Sequence, residues 1–143
     1  MDNKIISVIN QKGGVGKTTT VINLAAGLTM KGKKILVIDL DPQGNATTGL
    51  GLSNTESSEQ TIYSVLNGSK KIREVIKKTS FENLDLITSN VDLSGLEVET
   101  AGDSRRAFML KDELASYLNN SRALYDYVLI DCPPSLSLLT IMA

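Results

Sequence analysis

Histidine is absent from the 143 residues, and no other absence excludes as much chemistry. Without it there is no imidazole base, no histidine metal ligand and no Ser-His-Asp triad. Most zinc-dependent and hydrolytic-triad functions are excluded at once. Cysteine occurs once, as Cys132, so no internal disulfide can form and a reducing compartment suits the chain. Cys132 reads better as a small buried residue than as a nucleophile. No apolar run approaches the length of a membrane span. The opening run, residues 5–9, is too short for a signal peptide and no cleavage region follows it. These absences predict a cytoplasmic protein. Neither sign of charge prevails: the net charge is −1, which predicts no bulk attraction to nucleic acid. Residues 1–79 carry eleven Lys and Arg against six Asp and Glu, and 80–143 four against ten, which reads either as a basic face or, more plainly, as solvated helix surfaces. Repeats, low-complexity tracts and linkers are also missing. The length suits one domain, 1–143, with 41% hydrophobic and 22% charged residues, an ordinary globular balance.

What is present is concentrated in residues 10–19, Asn-Gln-Lys-Gly-Gly-Val-Gly-Lys-Thr-Thr. Gly13, Gly14 and Gly16 let the backbone curl where side chains would clash. Successive N–H groups in such a loop form a nest for anions, and a following helix N-terminus adds further donors. The loop reads as a phosphate cradle. The apolar run 4–10 reads as a buried strand feeding it. Val21, Leu24, Ala25 and Leu28 then fall at i, i+3, i+4, i+7, which predicts a helix over 18–30 capped at Gly32. Residues 34–39 read as a second buried strand, which completes a βαβ unit.

Beyond that unit, 40–49 reads as a long functional loop. Short helices are expected at 61–66 and 72–77, and a strand at 84–88. Helices are expected at 92–101 and 105–119, the latter turning Phe108, Leu110, Leu114, Tyr117 and Leu118 toward a core. Residues 127–131 form a further apolar strand, and a helix-like segment begins at Ser137. The fold class is therefore α/β, a mostly parallel sheet flanked by helices.

In such sheets ligands bind beyond the carboxyl ends of the strands. Here those ends carry the glycine loop, Asp39-Leu40-Asp41, and Asp131. Carboxylates beside a polyphosphate repel it unless a cation intervenes, so the set calls for Mg²⁺, which takes few protein ligands. Thr18 would offer its hydroxyl and Asp131 an outer-sphere carboxylate. Plainer readings stand beside these: Asp131 as a strand-end cap, and Asp39 and Asp41 as turn formers before Pro42. Of that pair Asp41 is the better candidate for orienting water.

The common phosphate-loop pattern needs a glycine where Gln11 stands, and an extra lysine, Lys12, follows. Lys12-Gly13-Gly14-Val15-Gly16-Lys17-Thr18-Thr19 resembles the deviant Walker A motif of the ParA/MinD ATPases. The loop after Asp39 resembles the ParA switch more than the MinD one, and 125–134 resembles the Walker B region of that family. The chain thus resembles a ParA/Soj-type partition ATPase, with a P-loop NTPase-like fold. The resemblance implies ATP and Mg²⁺ as cofactors, with Lys12, Gly13, Gly14, Val15, Gly16, Lys17, Thr18 and Thr19 binding nucleotide. It implies that Lys17 holds the β- and γ-phosphates, Thr18 the metal and Thr19 the α-phosphate. Lys12 would reach the phosphates of a partner subunit, Asp41 would position the attacking water, and Asp131 is the Walker B carboxylate. The partners implied are an ATP-dependent homodimer, a ParB-like protein and non-specific DNA, with no membrane and a nucleoid-associated location. A strand starting near Lys4 leaves no room for the N-terminal helix-turn-helix of large plasmid ParA proteins, so the short type is expected. A MinD-like positioning ATPase and a nucleotide-binding fragment without catalysis are the alternatives. Family members continue past the position of Ala143, so the resemblance covers their N-terminal part. The base pocket and DNA contacts are then expected largely elsewhere. The isolated chain is expected to be less stable than a longer relative and slow or inactive as an ATPase.

Overall fold

The computed structural model describes residues 4–8, 15–50, 60–95, 108–120 and 125–131. Runs of β-branched and aliphatic residues make its strands, and the two faces of the resulting sheet collect two separate cores. The strands are β1 (Lys4–Val8), β2 (Ile35–Asp39), β3 (Ile76–Lys78), β4 (Leu84–Ile87) and β5 (Tyr127–Asp131), in the spatial order β1-β5-β2-β4-β3. Every pairing is parallel except that of β3 with β4. The α/β expectation and its mostly parallel sheet are borne out.

Helix α1 (Val15–Met30) lies on one face. It buries Val21 and Ala25 against Ile35, Val37, Leu84, Leu86 and Leu129. Leu28 packs there too, but Leu24 is largely exposed and Ile22 takes its place at the core. Gly32 ends the helix at φ 79°, a left-handed conformation that only glycine adopts freely. The other face carries α3 (Ile62–Leu66), α4 (Ile72–Val75) and α5 (Met109–Asn120), packed over Leu36, Ile38, Ile87, Val128 and Ile130. Alternation along β2 explains the division: Leu36 and Ile38 face one core, Ile35 and Val37 the other.

Four expectations need correction. The segment expected as a helix over 72–77 is helical only to Val75; Ile76–Lys78 pairs with β4 instead. β-branched Ile76 sits opposite Ile87 there, and the exposed Lys78 suits a solvent-facing edge. The segment 40–49 is not all loop, since it closes into a short helix, α2 (Asn45–Gly49). Phe108 is exposed rather than core-facing, while Leu110 and Leu114 are buried as expected. The helix expected over 92–101 is represented, among the described residues, by the 3-10 turn Val91–Gly95.

Candidate functional site: the carboxyl edge of the sheet

Parallel pairing with no stagger brings the ends of three strands into one row. Val8 of β1 is the partner of Asp131 of β5, and Asp131 is the partner of Asp39 of β2. The glycine loop leaves from that row, and α1 begins at Val15, seven residues after Val8. Lys12, Gly13 and Gly14 lie outside the described residues, as do Cys132 and the segment from Ser137. Val15, Gly16, Lys17, Thr18 and Thr19 form the first turns of α1, which starts three residues before the expected Thr18. Its amino end therefore carries the unpaired N–H groups that favour an anion.

Asp39 and Asp131 are both fully buried. Adjacent strands run only about 4.8 Å apart, so two such carboxylates cannot both ionise without cost. Burial pushes the Asp39 carboxyl up to about 7; hydrogen bonds from Thr47 and Asp41 restrain the rise, and the charge of Asp131 adds to it. A cation beside this pair would offset both burial and repulsion. Among the described residues no three or more His, Cys, Asp or Glu are placed so that they could hold a metal ion by themselves, so no all-protein metal cage is present there. One or two carboxylates suit Mg²⁺, which keeps waters and phosphate oxygens as its other ligands. The donor set fits that ion.

Asp39 also ties the following loop into a ring. Its Oδ1 accepts from the N–H of Asp41 at 3.0 Å. Its Oδ2 accepts from the N–H and hydroxyl of Thr47 at 2.8 and 2.7 Å. Asp41 is itself almost fully buried, and its Oδ1 accepts from the N–H of Gln43 at 3.0 Å. Its carbonyl closes the turn by accepting from Gly44 N–H at 2.8 Å, with Gly44 at φ 68°. Leu40 N–H donates to the Asp131 carbonyl at 2.9 Å, which fastens the loop to β5. The structure therefore brings Asp39, Asp41 and Asp131 together, with Asp41 also serving as a turn former.

Two members of this site are not singled out from the sequence, Thr47 although it falls within the switch-like loop and Ser89 because no motif marks it. Thr47 lies on α2, and Ser89 follows β4. The only available signal for Ser89 was the polar run Thr88-Ser89-Asn90 at a strand's carboxyl end, the same rule that singled out Asp131.

Comparison with known proteins agrees with this geometry. The chain is 49% identical over 140 residues to sporulation initiation inhibitor protein Soj of Bacillus subtilis, covering 98% of this chain and 53% of Soj. It is 46% identical to the chromosome partitioning protein ParA of Caulobacter vibrioides, covering 98% of this chain and 51% of that protein. The chain thus spans about half the length of the curated relatives it matches. Its fold superposes with a TM-score of 0.90, at 38% identity, on cobyrinic acid a,c-diamide synthase of Mycobacterium smegmatis crystallised with an ATP analogue and magnesium; the match covers 99% of this chain and 55% of that one. The expected resemblance to Soj and ParA proteins and the P-loop NTPase-like fold are both borne out. The AAA domain model matches from residue 3 to residue 143, and the chain belongs to that family, AAA_31.

Proposed function

We propose that residues 1–143 form one nucleotide-handling domain of a ParA/Soj-type partition ATPase, binding ATP with Mg²⁺ and hydrolysing it. The observation that carries this reading is the row Val8–Asp131–Asp39, which sets two buried carboxylates beside the strand that leads into the glycine loop. The near-half identity to Soj and ParA over almost the whole chain supports partition as the context.

On this reading the backbone of Gly13, Gly14, Val15 and Gly16 wraps the phosphates, and Lys17 neutralises the β- and γ-oxygens. Thr19 bonds the α-phosphate. Thr18 and Asp131 would hold Mg²⁺, which would screen the phosphate charge. Asp41 accepts a hydrogen bond from the attacking water and orients it in line. Lys12 acts across a homodimer, like an arginine finger, a contact worth about 10³–10⁵ in rate. Such a contact makes ATP the link between two subunits and hydrolysis their release. The dimer then holds DNA without sequence preference on the nucleoid, and a ParB-like protein stimulates turnover.

ATP binding and turnover on this chain, with and without Mg²⁺, test the reading. Lys17→Ala should abolish nucleotide binding, whereas Asp41→Ala should bind ATP normally and lose hydrolysis. Normal hydrolysis by Asp41→Ala removes it from the mechanism, and tight ATP binding without turnover in the parent leaves a binding module. DNA affinity that falls steeply with added salt would support phosphate-driven attachment.

A further inference from the structure

Two hydroxyl-bearing residues from different parts of the chain hold Asp41, Ser89 directly and Thr47 through Asp39. Ser89 donates its hydroxyl to the Asp41 carbonyl at 2.7 Å and its N–H to the Thr47 hydroxyl at 3.1 Å. Thr47 passes its own hydroxyl hydrogen to Asp39 Oδ2 at 2.7 Å. Ser89, Thr47 and Asp39 are completely buried, and Asp41 nearly so. Hydrogen bonds that water cannot reach hold their geometry, and each loss leaves a buried group unsatisfied. Both backbone polar groups of Asp41 are thereby pinned: the N–H by Asp39, the carbonyl by Gly44 and Ser89. Three strands share the grip, since Asp39 ends β2, Ser89 follows β4, and Leu40 is tied to Asp131 of β5.

We propose that Thr47 and Ser89 are positioning residues for hydrolysis, a hydroxyl pair that fixes the Asp41 backbone relative to the sheet edge where nucleotide binds. The inference rests on the ATPase reading above and adds to it two residues that touch no nucleotide. Their action is on Asp41, through its main chain, and the chemistry needs that precision: displacement of a reacting group by about 1 Å can cost roughly 10²-fold in rate. The pair also ties the loop to β4, so the Asp41 position is set by a strand that does not otherwise join the site.

Steady-state turnover of MgATP by the parent, Ser89→Ala, Thr47→Val and Thr47→Ser, with amide hydrogen exchange on each, tests the proposal. Ser89→Ala and Thr47→Val should each lower kcat by roughly tenfold while KM stays within about twofold, the mark of an interaction used after binding. Exchange at the Asp41 amide should quicken in both. Thr47→Ser keeps the hydroxyl and should restore most of kcat. A merely structural role would lower the unfolding midpoint without this split between kcat and KM. Unchanged kcat in Ser89→Ala, a change confined to KM, or a Thr47→Ser variant as slow as Thr47→Val overturns the proposal. A parent that neither binds nor hydrolyses MgATP defeats the ATPase reading before any variant is made, whereas turnover in the parent, however slow, that the variants leave unchanged defeats the positioning role alone.

Discussion

Asp39 is a residue whose chemistry departs far from its appearance in the sequence. Folded, its carboxyl titrates at about 7 rather than 3.8, chiefly because it is buried. Between those values the folded chain holds a proton that the unfolded chain has released. Asp39 therefore makes the ligand-free protein less stable as pH rises from about 4 to 7, by on the order of 4 kcal/mol, and the loss is complete above that window. Denaturant unfolding in EDTA at pH 5 and pH 8, for the parent and for Asp39→Asn, isolates this carboxyl from the others. The stability of the parent relative to the variant should fall from the lower pH to the higher, and a constant difference would refute the assignment. The sequence made Asp41 and Asp131 candidates because acids at strand ends are a local signal. It could not reveal how firmly Asp39 closes the loop on itself. Still less could it pair Thr47 with Ser89, 42 positions away, since register alone brings them into contact.

At the level of the element, boundaries were legible where a cap marked them. Thr61 precedes α3 with extended backbone, and its Oγ1 accepts from the Tyr63 N–H at 3.3 Å. Asn67 follows, with Gly68 at φ 87°. This start signal and glycine stop are visible in the sequence. Thr61→Ala should cost about 1 kcal/mol in denaturant unfolding, with Thr61→Ser nearly neutral; equal losses would show that the methyl, not the oxygen, matters. β3 had no such mark. Lys71 to Lys78 has helix-compatible spacing throughout, and the switch at Ile76 is dictated by β4, which offers Asp85 to Ile87 for pairing. The Asp39–Thr47 ring likewise turns an apparent loop into α2, because tying its two ends forces the residues between them to close.

For the molecule as a whole, the two cores are separated by the sheet. Leu66 belongs to the face of α3, α4 and α5, and Val21 to the face of α1. Leu66→Ala should destabilise by about 2–5 kcal/mol. Combined with Val21→Ala, the losses should add within about 0.5 kcal/mol. Strong coupling in a double-mutant cycle would mean that the cores are not independent. Alternation along β2 produces this division, whereas the strand order does not follow from any local pattern. The same sheet has unequal rims. One ends, among the described residues, at β3, three residues long, antiparallel and bearing the exposed Lys78, a guard against further strand addition. At the other, β1 pairs only with β5 among the described residues, and Ile5 is 47% exposed. Ile5→Lys should raise the concentration at which the chain begins to self-associate in light scattering, and no change would acquit that rim. The sheet is thus directional: it is closed to growth at β3, and whatever lengthens it, further polypeptide or a second copy, adds at β1.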